Sequence, residues 1–134
     1  MTVTHQAETL ETARTLLTRD TFARDCPGRA VMDQVMTRWA TLILAALVTG
    51  PHRFSALATR VEGVSQKMLS HNLKALVRAG LVHRAVEPTV PPQVTYSLTA
   101  LGADLAGPLC ALIHWFGANA PALQEAQARH DATR

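Results

Sequence analysis

Basic side chains recur at helical spacing in the middle of the chain. Steps of four, three and four residues place on one helix face Lys67, His71, Lys74 and Arg78. Gln66 and Ser70 lie beside this stripe. Cationic side chains contact phosphates, and Gln or Ser can hydrogen-bond to base edges in the major groove. The pattern therefore predicts a nucleic-acid-binding face, and its plain alternative is a solvated helix surface.

The helix that positions this face has a predicted beginning and end. Ser65 can accept a hydrogen bond from a free N–H of the first turn, and Gly80 can terminate the helix. The opposite face would pack inward through a set of apolar side chains: Leu69, Leu73 and Leu76, with Met68 and Val77. A shorter helix over residues 56–61 precedes it, with Ser55 as its expected cap and Gly63 near its end. Ser55 is also a candidate for contact with DNA.

The sequence changes to an alternating pattern after Gly80, which is typical of strands. Residues 81–86 and 94–98 are predicted strands, and the loop between them, residues 87–93, contains three prolines. Prolines are tolerated at a hairpin tip because it is not a central strand. Two helices followed by such a hairpin have the order of a winged helix-turn-helix, whose second helix enters the major groove.

Each polar residue of this region has an expected role in DNA contact. Ser65 and the first-turn amides can hold a phosphate. The side chains that come early enough in the helix to reach base edges are Gln66, Lys67, Ser70 and His71. Lys74 and Arg78 lie farther along and are expected at phosphates. In the hairpin, Arg84 and Gln93 could enter the adjacent minor groove.

The distribution of charge is more informative than its sum. The 134-residue chain has a formal charge of +3, yet between Arg38 and Arg84 its only acidic residue is Glu62. At 48% hydrophobic residues, the chain can bury the core of one ordinary domain without disulfides. Its N-terminus lacks the pattern of a signal sequence, and the apolar run at residues 42–48 is too short for a bilayer. We therefore expect a soluble cytoplasmic protein without a membrane partner.

Apolar helices are expected on both sides of the central region. An amphipathic helix is predicted over residues 7–21, with a break at residues 26–28, and the core helix over residues 38–48 follows. After a cap at Thr99, apolar residues recur at helical spacing, and Pro108 should kink this helix or start a second one. Residues beyond Gln124 are polar and expected to fray.

Large apolar residues outside the inward stripe are candidates for a subunit interface or an effector pocket. They are Trp39, Leu112, Trp115 and Phe116. A core position is the simplest explanation for a tryptophan. The apolar stripe of the N-terminal helix also needs a covering surface, which favours a partner subunit.

Cysteine and histidine raise further alternatives. Cys26 lies near Arg24 and Arg29, and nearby cations raise the thiolate fraction that a redox sensor needs, although a structural role at a helix junction also fits. Cys110 lies among apolar residues, which favours packing. None of the six histidines forms a close ligand pair, so no metal or other cofactor is predicted. Phosphate loops, nucleophile elbows and paired carboxylates are missing too, so no enzyme is predicted.

Segments of the chain resemble the HxlR family of bacterial regulators, winged-helix proteins with a MarR-like architecture. The resemblance covers about residues 26–117 and rests on Cys26-Pro27, Arg38-Trp39 and residues 42–44 (LIL), 50–57 (GPHRFSAL), 63–69 (GVSQKML), 80–84 (GLVHR) and 90–102 (VPPQVTYSLTALG). It implies a homodimer that is joined through N- and C-terminal helices and binds an inverted repeat. On the recognition helix it implies Ser65, Gln66, Lys67 and Ser70. It places Arg53 near the DNA backbone, and Cys26 at a position that senses oxidants or electrophiles in some members.

Together these observations predict a mainly α protein with a small β-hairpin wing, an α+β fold. One domain is expected over residues 1–134, with a helical arm at 1–24, a DNA-binding core at 26–100 and dimerisation helices at 101–124. The predicted function is a homodimeric repressor that binds double-stranded DNA and responds to oxidants or electrophiles through Cys26. The alternatives are a regulator controlled by a non-covalent ligand or a metal, and a winged-helix protein-interaction module.

Overall fold

The computed structural model describes residues 2–17 and 19–133. It is mostly helical and contains a three-stranded antiparallel sheet, which confirms the expected fold class. The chain divides into two compact units, Met1–Gln34 and Val35–Arg134. That the whole chain acts as one domain stays a prediction.

Helices separated by turns form the first unit and lead into the second. They are α1 at Thr2–Leu16, a short 3-10 helix at Arg19–Phe22, and α2 at Arg29–Val35. The prediction of a helix over residues 7–21 was wrong at both ends, and Thr18 lies outside the described residues. The Leu17 N–H donates to the Arg14 carbonyl oxygen at 3.3 Å, a three-residue step that tightens and ends the last turn. Every side chain at positions 5–17 is exposed within the chain.

The second unit contains the predicted helix-turn-helix and wing. Its elements are α3 at Arg38–Ala46, which continues as a 3-10 turn at Leu47–Thr49, β1 at His52–Arg53, α4 at Phe54–Arg60, α5 at Gln66–Arg78, β2 at Val82–Glu87, β3 at Gln93–Leu98, α6 at Ala100–Ala118 and α7 at Ala120–Ala132. Strand β1 and helix α7 were not predicted.

Helix α3 forms the centre of the core because it is apolar on most sides. Ile43 and Leu44 of α3 are fully buried. Helix α5 packs against α3 and buries the predicted stripe of Leu69, Leu73 and Leu76, while Val77 is half-buried. The prediction for Met68 was wrong. It is 38% exposed because it lies in the exposed first turn, and Asn72, one turn later, takes the buried position on that side.

The strands form one sheet in the order β1-β3-β2. The register pairs Arg84 with Tyr96 and Glu87 with Gln93, which confirms the predicted hairpin with a shorter loop at residues 88–92. Strand β1 adds to the other edge of β3, where His52 pairs with Tyr96. Because β1 runs directly into α4, this pairing joins the beginning of the helix-turn-helix to the wing.

The C-terminal helices differ from the expectation in where the second helix starts and in how far it continues. Helix α6 continues through Pro108, and the second helix starts after Asn119 instead. Proline leaves the carbonyl four residues earlier without its helical partner, and here that residue, Asp104, is exposed to water. The expectation of a frayed tail was wrong as well, because α7 continues to Ala132 and carries a pair between Glu125 and Arg129 at 2.9 Å.

Helix α6 has the length and the apolar composition of a helix that could cross a bilayer. The expectation that the chain has no membrane span rested on the shorter apolar run at residues 42–48. One side of α6 is buried through Gly102, Ala106 and Leu109, and Leu109 belongs to the core formed with α3 and α5. Only 17% of this apolar stretch is buried, so α6 contributes one side to the core and exposes most of its other apolar residues.

Candidate nucleic-acid interface

The recognition helix α5 begins and ends where the sequence predicts. Ser65 adopts an extended backbone conformation, and its hydroxyl oxygen accepts a hydrogen bond from the Met68 N–H at 3.0 Å. At the other end Gly80 has a φ of +79°, and the Leu81 N–H returns to the Leu76 carbonyl oxygen at 3.1 Å. These local hydrogen bonds fix the length of α5 and therefore the extent of its polar face.

The polar face of α5 brings together the side chains that spacing placed on one stripe. Ser70 is half-buried, and the exposed side chains beside it are Gln66, Lys67, His71, Lys74 and Arg78. The geometry therefore offers hydrogen-bonding groups in the first turns of α5 and cations along its length. Contact of these residues with DNA stays a prediction.

Asn72 is a buried polar residue on α5 that sequence reasoning missed. It is 5% exposed, and its Nδ2 donates to the Met68 carbonyl oxygen at 2.7 Å. Its Oδ1 accepts from the Thr37 hydroxyl at 3.4 Å, and the Thr37 oxygen in turn caps α3 by accepting from the Ala40 N–H. Asn72 therefore joins the recognition helix to the first turn of α3. Its position within the apolar stripe, one turn after Met68, was the available signal.

The prediction that Ser55 caps α4 was wrong. Helix α4 begins at Phe54, so Ser55 lies inside the first turn, and the residue at the cap position, Arg53, makes no side-chain capping bond. The reason is the sheet, since pairing of β1 with β3 keeps the backbone extended up to Arg53 and the helix starts at once afterwards. Ser55 remains exposed.

The wing carries the remaining candidate residues. Arg84 is exposed on β2, and the Arg53 guanidinium on β1 donates to Gln93 Oε1 on β3. Arg53 and Gln93, which were expected to act separately, therefore form one pair at the loop end of β3. The Gln93 side-chain nitrogen keeps its donor capacity for a further partner.

The cations of this surface lack acidic partners. Among the described residues, the ion pairs are Glu11–Arg14, Arg29–Asp33 and Glu125–Arg129, and all three lie outside α4, α5 and the wing. From Val35 to the end of β3 the sequence contains two acidic residues, Glu62 and Glu87. The positive charge of this surface is therefore not neutralised by ion pairs among the residues that the structure describes, which favours an anionic partner.

Cys26 lies in the turn that precedes α2 and is a half-buried free thiol. Its N–H donates to the Ala23 carbonyl oxygen at 3.1 Å. Of the two arginines near it in sequence, Arg24 is exposed, while the Arg29 guanidinium contacts the Phe22 carbonyl oxygen and Asp33. Cys110 on α6 is also a half-buried free thiol.

The candidate interface or pocket residues fall into two groups. Trp39 is half-buried against the core, with the Arg38 guanidinium 4.2 Å from its ring centre. The others lie on one exposed stretch of α6, where Leu112 is 43%, Trp115 49% and Phe116 55% exposed. The rings of Trp115 and Phe116 meet edge to face at 5.3 Å. The structure thus assigns Trp39 to the core and leaves an apolar surface on α6.

Metal-binding geometry was the remaining alternative. Over residues 2–17 and 19–133, no group of three or more His, Cys, Asp or Glu side chains could hold a metal ion. Nothing in the described part of the chain therefore supports control by a metal.

Known proteins share this arrangement. The family model described as HxlR-like helix-turn-helix matches residues 34–124. The HTH-type transcriptional regulator YtfH of Escherichia coli is 47% identical over 100 residues, which cover 75% of this chain and 79% of that protein. The solved structure of YtfH from Salmonella typhimurium, described as a transcriptional regulator, has a TM-score of 0.75 at 44% identity and covers 80% of this chain and 96% of that chain. The redox regulator HypR in its reduced form has a TM-score of 0.68 at 29% identity, with coverage of 74% and 98%.

Proposed function

This chain belongs to the HxlR-like helix-turn-helix family of transcriptional regulators, and we propose that it is a homodimeric repressor that binds an inverted repeat in double-stranded DNA. It would act in the cytoplasm, where its DNA target is, and without catalytic activity. Each α5 would enter the major groove of one half-site, and each wing would lie at the adjacent minor groove.

The observation that carries this proposal is the basic face without acidic partners. Lys67, Lys74 and Arg78 project from one side of α5, and Arg84 projects from the wing that follows it. None of them has an ion pair within the described ranges. Phosphates would supply the missing counter-charge, and release of their counterions would make binding depend steeply on salt.

The candidate residues divide between reading bases and holding the backbone. Base edges would be contacted from the first turns of α5 by Gln66, Lys67, Ser70 and His71. Phosphates would be held by Lys74 and Arg78 and by the backbone amides of the turn that Ser65 caps. The Arg53–Gln93 pair would hold a further phosphate, and Arg84 would reach the minor groove. Repression would follow because a bound dimer blocks polymerase.

Fluorescence anisotropy on two duplexes tests this proposal. One duplex carries the DNA flanking the gene for this chain, and the other is a shuffled sequence of equal length and composition. We expect a clear preference for the flanking duplex and a Kd that rises steeply between about 50 and 200 mM salt. Arg129→Ala, which removes a cation from α7, serves as the matched charge control and should bind like wild type. Equal affinity for both duplexes at moderate salt would contradict the proposal.

Dimerisation would use the exposed apolar surface of α6, together with the other terminal helices. Leu112, Trp115 and Phe116 lie within two helical turns of each other and are each roughly half exposed. Large aromatic residues at the centre of an interface contribute much of its binding energy. Trp115→Ala should therefore shift the sedimentation of the protein toward the monomer, whereas Val86→Ala on the wing should not. A wild-type monomer at micromolar concentration would contradict a homodimer.

A redox response through Cys26 is the second part of the proposal. It is supported by the half-buried free thiol and by the similarity to HypR, whose reduced and oxidised forms are both described as a redox regulator. Cys26 lies before the segment that the family model matches. The Cys26 thiolate would attack one oxygen of hydrogen peroxide. The O–O bond would break, the sulfur would become a sulfenic acid, and the second oxygen would leave as hydroxide.

The matched variants Cys26→Ser and Cys110→Ser test this response. Mild peroxide should change the operator affinity of wild type and of Cys110→Ser, and a thiol reductant should restore it. Cys26→Ser should not respond. A Cys26→Ser protein that responds like wild type would make Cys26 a structural residue. A wild-type protein that does not respond to peroxide at all would favour control by a non-covalent ligand.

A protein-interaction module is the alternative that shares the same fold. Replacement of Lys67 and Lys74 by alanine discriminates between the two functions, because both side chains are exposed and unpaired among the described residues. A DNA-binding regulator would lose operator affinity and keep its oligomeric state. Unchanged DNA affinity would favour the docking function.

A further inference from the structure

A cleft between the recognition helix and the wing points to a ligand site. Its volume is about 450 Å³, and small-molecule sites commonly measure about 300–1,000 Å³. We propose that this cleft binds a small organic anion that combines an aromatic ring with a carboxylate, and that the bound anion weakens DNA binding. The second half of this inference rests on the proposed function, and the first half does not.

The apolar part of the cleft favours a flat ring. Phe54 at the start of α4 and Tyr96 on β3 line it and are half-buried, and Leu73 of α5, 1% exposed, also contributes. These residues come from three different elements of the core, so the backbone positions of the walls are fixed by the fold. Aromatic rings in offset or edge-to-face contact interact favourably beyond the area they bury.

The charged part of the cleft favours a carboxylate. Lys74 and Arg78 line it from α5, one helical turn apart, and Arg84 lines it from β2. Arg84 is the cross-strand partner of Tyr96, which places a guanidinium beside one aromatic wall. No acidic residue lines the cleft, and within the described part of the chain no ion pair involves these cations. A neutral ring would fill the apolar part and leave this positive charge without a partner.

Competition with DNA follows from the shared cations. Lys74, Arg78 and Arg84 are the groups expected at the DNA backbone and the minor groove, so a carboxylate held by them displaces those contacts. For simple competition, the apparent Kd for DNA rises about elevenfold when the ligand is present at ten times its own Kd. The cleft would therefore act as an effector site on the DNA-binding surface itself, away from α6.

Isothermal titration calorimetry with 1-naphthoate tests the cleft directly, without DNA. The neutral 1-naphthamide should bind about tenfold more weakly or worse, because it cannot form charge-assisted hydrogen bonds with the cations. Val77→Phe should fill the cleft, and Tyr96→Leu should remove one aromatic wall, so each should raise the naphthoate Kd about tenfold. Neither residue belongs to the proposed DNA contacts. Val86→Ala, an exposed strand residue outside the cleft, is the control.

The outcomes separate this inference from the proposed function. Any of three results would overturn the site. Naphthoate does not bind, the amide binds as tightly as naphthoate, or both cleft variants fold and bind naphthoate as wild type does. Naphthoate that binds in the cleft but leaves a specific operator complex unchanged would overturn the regulatory role alone. A protein with no operator preference in the absence of naphthoate would overturn the proposed function, and the calorimetry would still decide the site.

Discussion

Replacement of Gly102 by alanine tests how closely helix α6 approaches the wing. A Cβ at this position would lie 2.0 Å from the Leu81 carbonyl oxygen and 3.3 Å from Leu98 Cδ2. A backbone oxygen cannot rotate away as a side-chain end can, so α6 and the start of β2 would have to separate. We therefore expect Gly102→Ala to destabilise the protein, although alanine inside a helix is normally better than glycine by about 1 kcal/mol.

The magnitude follows from the bonds that the separation would break. Thr99 joins α6 to the same turn, since its N–H donates to the Leu81 carbonyl oxygen at 3.1 Å and its hydroxyl to the Gly80 carbonyl oxygen at 2.6 Å. Overpacking costs about 1–3 kcal/mol, and each hydrogen bond contributes about 1 kcal/mol. After the gain in helix propensity is subtracted, the free energy of unfolding should fall by about 2–4 kcal/mol.

Gly107→Ala provides the matched control, because Gly107 lies in the same helix. Among the residues that the structure describes, no atom outside that helix lies within 4 Å of the position its Cβ would take. Urea unfolding followed by circular dichroism, at one fixed protein concentration, gives both free energies. Gly107→Ala should be unchanged or more stable by up to about 1 kcal/mol. A Gly102→Ala protein as stable as Gly107→Ala would refute the close approach of α6 to Leu81.

Further substitutions test single local interactions by the same unfolding measurement. Ser65→Ala should lower the free energy of unfolding by about 1 kcal/mol because it removes the cap of α5. Ser55→Ala should change it by less than about 0.5 kcal/mol. Equal losses in the two variants would contradict the assignment of the cap. Gly63→Ala should cost about 1 kcal/mol or more because Gly63 has a φ of +91°, and a more stable variant would contradict this strain. Asn72→Ala should lower the free energy of unfolding by about 1–3 kcal/mol because the Thr37 hydroxyl loses its acceptor. Thr37→Val should lower the stability of the Asn72→Ala variant by less than it lowers that of wild type.

The recognition helix was predictable because its signals are local. Helix α5 begins after Ser65, whose side chain accepts a hydrogen bond from an unpaired N–H of the first turn. It ends before Gly80, where the apolar stripe stops. The inward stripe of Leu69, Leu73 and Leu76 follows from helical spacing alone. The same spacing places the exposed cations on the other side.

The pairing of β1 was not predictable from local sequence. Two residues give no alternating pattern, and their partners in β3 lie far along the chain. The error at Ser55 has the same origin, because the strand decides where α4 starts. Cap residues therefore identify a helix start only where no tertiary contact holds the preceding backbone.

Helix α7 was missed although signals for it were present. Pro121 lies in its first turn, alanine recurs through it, and Glu125 and Arg129 are spaced for an ion pair. The prediction rested on the polar composition of the residues beyond Gln124, which matters for packing within a chain but not for helix propensity. In the proposed homodimer a partner subunit would cover the terminal helices, and the spacing of residues within one sequence does not specify that contact.

Two alanine variants on two duplexes test the central claim most directly. Gln66 is expected at a base edge and Lys74 at a phosphate, and both side chains are exposed on α5. By anisotropy, Gln66→Ala should reduce the preference for the operator over the shuffled duplex by about 1–3 kcal/mol. Lys74→Ala should weaken binding to both duplexes alike and lower the slope of log Kd against log salt by about 1. If both variants bind both duplexes as wild type does, α5 is not the recognition helix and the account is wrong.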